Sequence, residues 1–255
     1  MGRFLSSFAQ HRLLGGAAVL ALTQFGASLA GLLRDRFLAQ TFPDLRVVDV
    51  YIAAFRPSDL LFQVTVMSAL GTVLVPFLAS YKAKGQDREV AALLSSAMAV
   101  GGLVFGALAL LMGLVFPWIA PAFVQFQGPD LTLYVQFGRL ALFTNVLFVF
   151  GNALGQYLIT IQRYWIYGVT PILYTVGTIV GTLFFTEHVG PLGPMMGTVL
   201  GAIVYTALRA ASVLHHFRKD TSLPFLTFLP SRLLHPDLRS IGWLMLPRIA
   251  ALGAM

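Results

Sequence analysis

Every residue from Val90 to Pro129 is uncharged, and most are aliphatic or aromatic. A helix crosses a hydrocarbon core of about 30 Å with about 20 residues, so this run alone exceeds one span. Similar runs recur along the chain. Leu13–Leu33 carries no charge; Val50–Tyr81 is interrupted by Arg56, Pro57 and Asp59; Leu131–Ile161 carries only Arg139. Tyr164–Thr186 and His188–Leu208 are uncharged and are divided by Glu187 and the turn-forming Gly190-Pro191-Leu192-Gly193-Pro194. Ile241–Met255 is apolar but stops short of a full span.

The pattern predicts an all-α, polytopic helical membrane protein with six complete transmembrane helices and the start of a seventh. Residues 1–219 form a transmembrane lobe, 220–238 a cytoplasmic interfacial segment, and 239–255 the beginning of helix seven. In span three a break is expected after Val115, at Pro117-Trp118-Ile119-Ala120-Pro121. Within 220–238, Leu223–Pro230 fits either an interfacial segment or a loose apolar loop. Composition supports the membrane reading, since 57% of residues are hydrophobic and 11% charged, against about 25% charged in soluble domains.

Several function classes drop out. With no cysteine, disulfide frameworks, thiolate metal sites and cysteine nucleophiles are excluded. The net charge of +7 does not mark a nucleic-acid binder, because the basic residues sit in short loops between apolar runs. Further apolar runs follow the first, which argues against a cleaved signal peptide. No Ser/His/Asp set, carboxylate pair or metal spacing supports an enzyme. Adjacent His215 and His216 would not converge on one ion from a helix.

Loop charge sets orientation. Arg3, Arg12, Lys82, Lys84, Arg88, Arg163, Arg218, Lys219, Arg232 and Arg239 lie on the N-terminal side of the membrane. The opposite loops hold Arg34, Arg36 and Arg46, offset by Asp35, Asp44 and Asp49. This asymmetry predicts a cytoplasmic N-terminus.

Small residues at four-residue spacing, Gly102/Gly106, Gly151/Gly155, Gly177/Gly181 and Gly193/Gly197/Gly201, predict close helix packing. None follows a strand, so they form no phosphate loop. Charges inside the spans are costly in hydrocarbon and point to function. At 100° per residue, Asp49, Arg56, Asp59 and Gln63 share one arc of span two. Pro57 should kink that helix by leaving the Ala53 carbonyl without a donor. Arg34 closes span one and could meet Asp49, and Arg139 lies deep in span four. The competing readings are interfacial snorkelling for Arg34, Asp35 and Arg36, and a structural Arg56–Asp59 salt bridge. Arg209 and Arg248, near span ends, are expected to snorkel.

Gly31–Phe42, with its Arg34-Asp35, Val48–Arg56 and Val75–Tyr81 together resemble the opening of the MurJ/MviN lipid II flippases, in the multidrug/oligosaccharidyl-lipid/polysaccharide exporter superfamily. Arg139-Leu140, Gln162-Arg163-Tyr164 with Thr170-Pro171, and Met245–Ala254 extend the likeness over essentially the whole chain. The resemblance implies the N-terminal half of a fourteen-helix, two-lobed transporter in a bacterial inner membrane, and no enzyme. Its implied cargo is a lipid-linked peptidoglycan precursor, carried from inner to outer leaflet by alternating access. Arg34, Asp49, Arg56 and Arg139 become the expected substrate-binding residues, with Asp35, Asp59 and Gln63 in support.

No cofactor or metal is expected beyond coupling to the membrane potential or a monovalent ion. The implied partners are the bilayer, a C-terminal half and cell-wall synthesis proteins, with no nucleic acid. A chain stopping within helix seven suggests a fragment, a truncated gene or a half-transporter. Ser28 and Phe62 stand where the family carries arginines, and Met67-Ser68-Ala69 replaces Glu-Gly-Ala. A drug or other lipid-linked saccharide exporter, and a degenerate non-transporting scaffold, are the rival readings.

Overall fold

A computed structural model describes residues 2–221 and 235–238. Among the described residues the chain is helical: α1 (Gly2–Thr41), α2 (Arg46–Phe62), α3 (Ser68–Ala83), α4 (Asp87–Phe123), α5 (Gly128–Thr160), α6 (Tyr164–Val180), α7 (Thr186–Val189) and α8 (Gly193–His216). Four stretches are long and apolar enough to cross a membrane: Gly15–Thr41, Asp87–Phe123, Gly128–Thr160 and Tyr164–Lys219. The last is a hairpin, folded back at Gly190–Leu192. The protein is thus a polytopic helical membrane protein, as its apolar runs require. Most of the 220–238 segment, all of 239–255 and Arg248 fall outside the described residues.

The break expected in span three is corrected, while the kink expected at Pro57 falls in a helix that stays continuous. α2 continues through Pro57 to Phe62, and the helical register changes only at Gln63–Met67, where the hydrogen bonds widen to π spacing. α4 likewise runs through Pro117 and Pro121 without a break. A proline deletes one helical hydrogen bond, and neighbouring groups can satisfy the freed carbonyl inside a bundle.

α5 lies at the centre, packed against α2, α3, α4 and α8, while α1 packs on α6 and α6 on α8. One apolar cluster joins Leu74, Leu78, Val90, Leu94, Tyr157 and Phe217. The other joins Leu38, Tyr51, Ala54, Phe116, Tyr134 and Phe137 near the opposite helix ends. The expected glycine packing is present between α6, its π-type extension and α8. A Cβ on Gly177 would stand 2.5 Å from the Gly201 Cα, and one on Gly181 2.5 Å from the Gly197 Cα. The helices therefore approach backbone to backbone.

The α3–α4 turn is closed by an ion pair, Lys82 Nζ to Asp87 Oδ1 at 2.7 Å, with Gly85 at φ +68. His235–Leu238 lies against it: Tyr81 donates to Asp237 Oδ2 at 2.6 Å, and His235 Nε2 is 3.2 Å from Glu89 Oε2.

Candidate functional site

The packed face of α2 is formed by Val50, Tyr51, Ala54, Pro57, Ser58 and Phe62. Asp49, Arg56 and Gln63 fall on the opposite side and are exposed. The helical arc read from the sequence is therefore a stripe that this lobe leaves uncovered. Asp59 sits at its edge and turns inward, accepting a hydrogen bond from Asn145 Nδ2 of α5 at 3.0 Å. Its partner is thus an amide on a neighbouring helix, not Arg56.

Arg34 lies on the packed side of α1 with Thr23, Ala30 and Leu38, and its side chain is 31% exposed. Both Nε and Nη2 donate to Asp35 Oδ1, at 2.9 and 2.8 Å, so the expected Arg34–Asp49 contact is replaced by a neighbour pair. Across from Arg34, Tyr174 lies within electrostatic reach of Tyr51, Asp59 and Arg34. The Tyr51 hydroxyl meets Thr198 Oγ1 at 2.8 Å, and Thr198 meets Thr178 Oγ1 at 2.8 Å. Thr198 also donates to the Pro194 carbonyl. This hydroxyl chain ties α2, α6 and α8 together beneath the charged groups.

Arg34 and Asp59 are thus both within electrostatic reach of Tyr174, while Asp49, Arg56 and Gln63 lie on the open face of α2. Arg139 goes elsewhere: it lies on the α4 side of α5, and its Nε donates to the Gly113 carbonyl at 2.9 Å. Among the described residues, no group of three His, Asp or Glu side chains could hold a metal ion.

Arg209 departs from its expected snorkelling. It is 1% exposed, and each guanidinium nitrogen has a partner: Nε to Thr170 Oγ1 at 2.8 Å, Nη1 to the Gly151 carbonyl at 2.9 Å, Nη2 to the Tyr167 carbonyl at 3.0 Å. The Tyr167 and Tyr205 rings lie 4.8 and 4.0 Å from its central carbon. Gly155 makes the room, since a Cβ there would stand 2.5 Å from Nη1. Asn145, Tyr51, Tyr174, Thr178 and Thr198 were not singled out from sequence. Asn145, one of four amides in α5 with Gln136, Asn152 and Gln156, carried no signal that set it apart.

The family profile described as Lipid II flippase MurJ matches residues 17–253. The chain belongs to this family. Two solved structures share the MurJ homologue's fold. One is a MATE protein in complex with MaL6, with TM-score 0.69 and 16% identity, covering 94% of this chain and 53% of the other. The second is a MOP superfamily transporter from Pyrococcus furiosus, with TM-score 0.63 and 15% identity, covering 96% and 53%. The chain therefore spans about half the length of these relatives. No curated protein matches the sequence at a significant level.

Within this MurJ-family chain the two positions where the resemblance implies arginines differ in kind. Ser28 is on the open face of α1, its hydroxyl donating to the Gln24 carbonyl at 3.1 Å. Phe62 is 7% exposed and packs edge-on against Phe105, with ring centroids 5.5 Å apart. Its site is part of the core, where a guanidinium would need partners that an apolar cluster does not offer.

Proposed function

We propose that this chain is the N-terminal lobe of a flippase that moves a diphosphate-linked, lipid-anchored peptidoglycan precursor between leaflets by alternating access. The observation that carries the reading is the open stripe of Asp49, Arg56 and Gln63 on a membrane-embedded helix. Ionised groups on such a face call for water or a polar ligand, because hydrocarbon solvates them poorly. Arg34 and Arg56 hold the diphosphate through charge-assisted hydrogen bonds, with Arg34 exchanging Asp35 for the ligand. Asp49 orients Arg34 once that exchange occurs, or couples transport to a monovalent ion or the membrane potential. The N-terminus is cytoplasmic in a bacterial inner membrane, and the second face of the cavity comes from a C-terminal half.

The test is complementation of a flippase-depleted bacterium by the complete native gene, alongside Arg34→Ala and Arg56→Ala forms expressed to equal level. Loss of growth in both variants is expected. Equal rescue by all three forms removes these arginines from the mechanism.

Ser28 on the open face of α1 favours a second reading, export of a less anionic cargo. Uptake of a cationic dye into inverted vesicles, competing with no lipid-linked diphosphate, would replace the first reading with this one.

A further inference from the structure

A groove of about 510 Å³ runs between α4 and α5, lined by Gly106, Ala109, Gly113, Leu142, Val146 and Arg139. It opens on the outer surface of the lobe beside Leu110, Leu114 and Phe143, which are 67%, 57% and 49% exposed. Large apolar side chains at that exposure on long apolar helices face lipid. Helix packing does not need the glycine at 106, because a Cβ there would meet nothing within 4 Å. The helix-packing glycines Gly177, Gly181, Gly197 and Gly201 are filled by a neighbour's backbone, whereas at Gly106 the space is left open.

Arg139 is the charged member of this lining. Its Nε caps the Gly113 carbonyl, which Pro117 leaves without its helical donor. Arg209 performs the same service for Tyr167 below Pro171, yet completes its set with two further protein acceptors and two aromatic faces. Arg139 has no such completion among the described residues. Among the described residues its Nη groups have no hydrogen-bond partner, and no carboxylate lines the groove.

Depth selects their partner. Arg139 lies eleven residues into α5, about 16 Å along its axis. The 33-residue helix is about 50 Å long and overhangs a core of about 30 Å by about 10 Å at each end. The Arg139 Cα is then about 6 Å inside the hydrocarbon boundary on the side of the α4–α5 turn, a depth from which a guanidinium snorkels to the phosphate level.

We propose that the α4–α5 groove is a binding site for an anionic bilayer phospholipid, with one acyl chain along Gly106 and Gly113 and the headgroup phosphate on the Arg139 Nη groups. The site is separate from the open stripe of α2 and does not depend on the transport reading.

The experiment uses the full-length protein purified into nanodiscs of equal parts phosphatidylglycerol and phosphatidylcholine, then released for native mass spectrometry. One retained phosphatidylglycerol is expected on the wild type. Arg139→Gln lowers its retention about ten-fold or more, the loss expected for a charge-assisted hydrogen bond. Gly106→Leu, which fills the groove without touching the charge, lowers retention of either lipid. Arg163→Gln, a loop charge control, leaves it unchanged. Thermal midpoints within error of wild type confirm that the variants are folded, and Arg139→Lys, which keeps the charge, restores part of the binding where Arg139→Gln does not fold.

Equal retention of the two lipids by the wild type, or wild-type retention in Arg139→Gln and Gly106→Leu, overturns the site. Displacement of phosphatidylglycerol by added undecaprenyl diphosphate overturns the assignment to a bulk phospholipid.

Discussion

Arg209 Nη2 lies 3.0 Å from the carbonyl oxygen of Tyr167, the carbonyl that Pro171 leaves without its backbone donor one turn further along α6. An arginine on α8 thereby joins the Thr170 hydroxyl of α6, which donates to the same carbonyl at 3.1 Å, in replacing the missing backbone hydrogen bond. Gly113, Pro117 and Arg139 repeat the device between α4 and α5. It explains why prolines expected to break helices are carried inside continuous ones.

This coupling is measurable by a double-mutant cycle. Arg209→Met should destabilise the lobe by about 3 kcal/mol, since it removes all three hydrogen bonds of a buried guanidinium. Pro171→Ala returns a donor to Tyr167, so the double variant should lose about 1 kcal/mol less than the sum of the singles. Thermal unfolding in detergent gives the energies; strict additivity would sever Arg209 from Pro171.

Glycines of the same four-residue spacing should differ in tolerance. Gly181→Val forces apart backbones that a Cβ would bring within 2.5 Å of the Gly197 Cα, at a cost of about 1–3 kcal/mol or more. Gly106→Ala has open space and should change stability by less than about 0.5 kcal/mol. Monodispersity and thermal midpoint on size-exclusion-purified protein compare the two. A destabilised Gly106→Ala would contradict the open groove.

These 255 residues contain no cysteine, so single cysteines placed in them, on a background free of other cysteines, report the α2 faces directly. Asp49→Cys, Arg56→Cys and Gln63→Cys should react with a membrane-impermeant maleimide from whichever side the cavity opens, while Ala54→Cys and Ser58→Cys stay protected. Unreactive cysteines at all three stripe positions would mean that this face of α2 contacts lipid.

Asp59 and Asn145 should be interchangeable as a pair. Asn145→Leu strips the carboxylate of its donor, at a cost of about 1–3 kcal/mol, whereas the swap Asp59→Asn with Asn145→Asp recreates the 3.0 Å bond in the opposite sense. Recovery of the thermal midpoint in the swap, but not in either single change, is the expected outcome. Failure of the swap would show that the carboxylate is needed on α2 itself.

Much of the site was legible and part was not. The α2 stripe could be read because Asp49, Arg56 and Gln63 belong to one helix, and a 100° step fixes their relative directions. Arg34 and Arg209 could not be placed that way. Arg34 had a plausible partner in Asp49 across a turn, but the rotation of α1 on α6 turns it toward the lobe and leaves it with Asp35. Arg209 stands at the end of a span in the sequence, and only Gly151, Gly155 and the Pro171 defect on other helices give it a cavity of acceptors. Phe62 likewise read as a lost arginine, and belongs to the core.

The sequence by itself determined that this chain is a membrane-embedded bundle of helices, because run length against bilayer thickness and the need to satisfy each backbone group within its own segment are local properties. It also marked the small faces that touch at Gly177, Gly181, Gly197 and Gly201, but marked Gly106 too, where a Cβ would meet nothing within 4 Å. Only the tertiary structure decided which arginines are interior staples and which remain available to a ligand. Acceptors for a guanidinium come from neighbouring helices, whose rotation and spacing are set by packing across residues far apart in the chain.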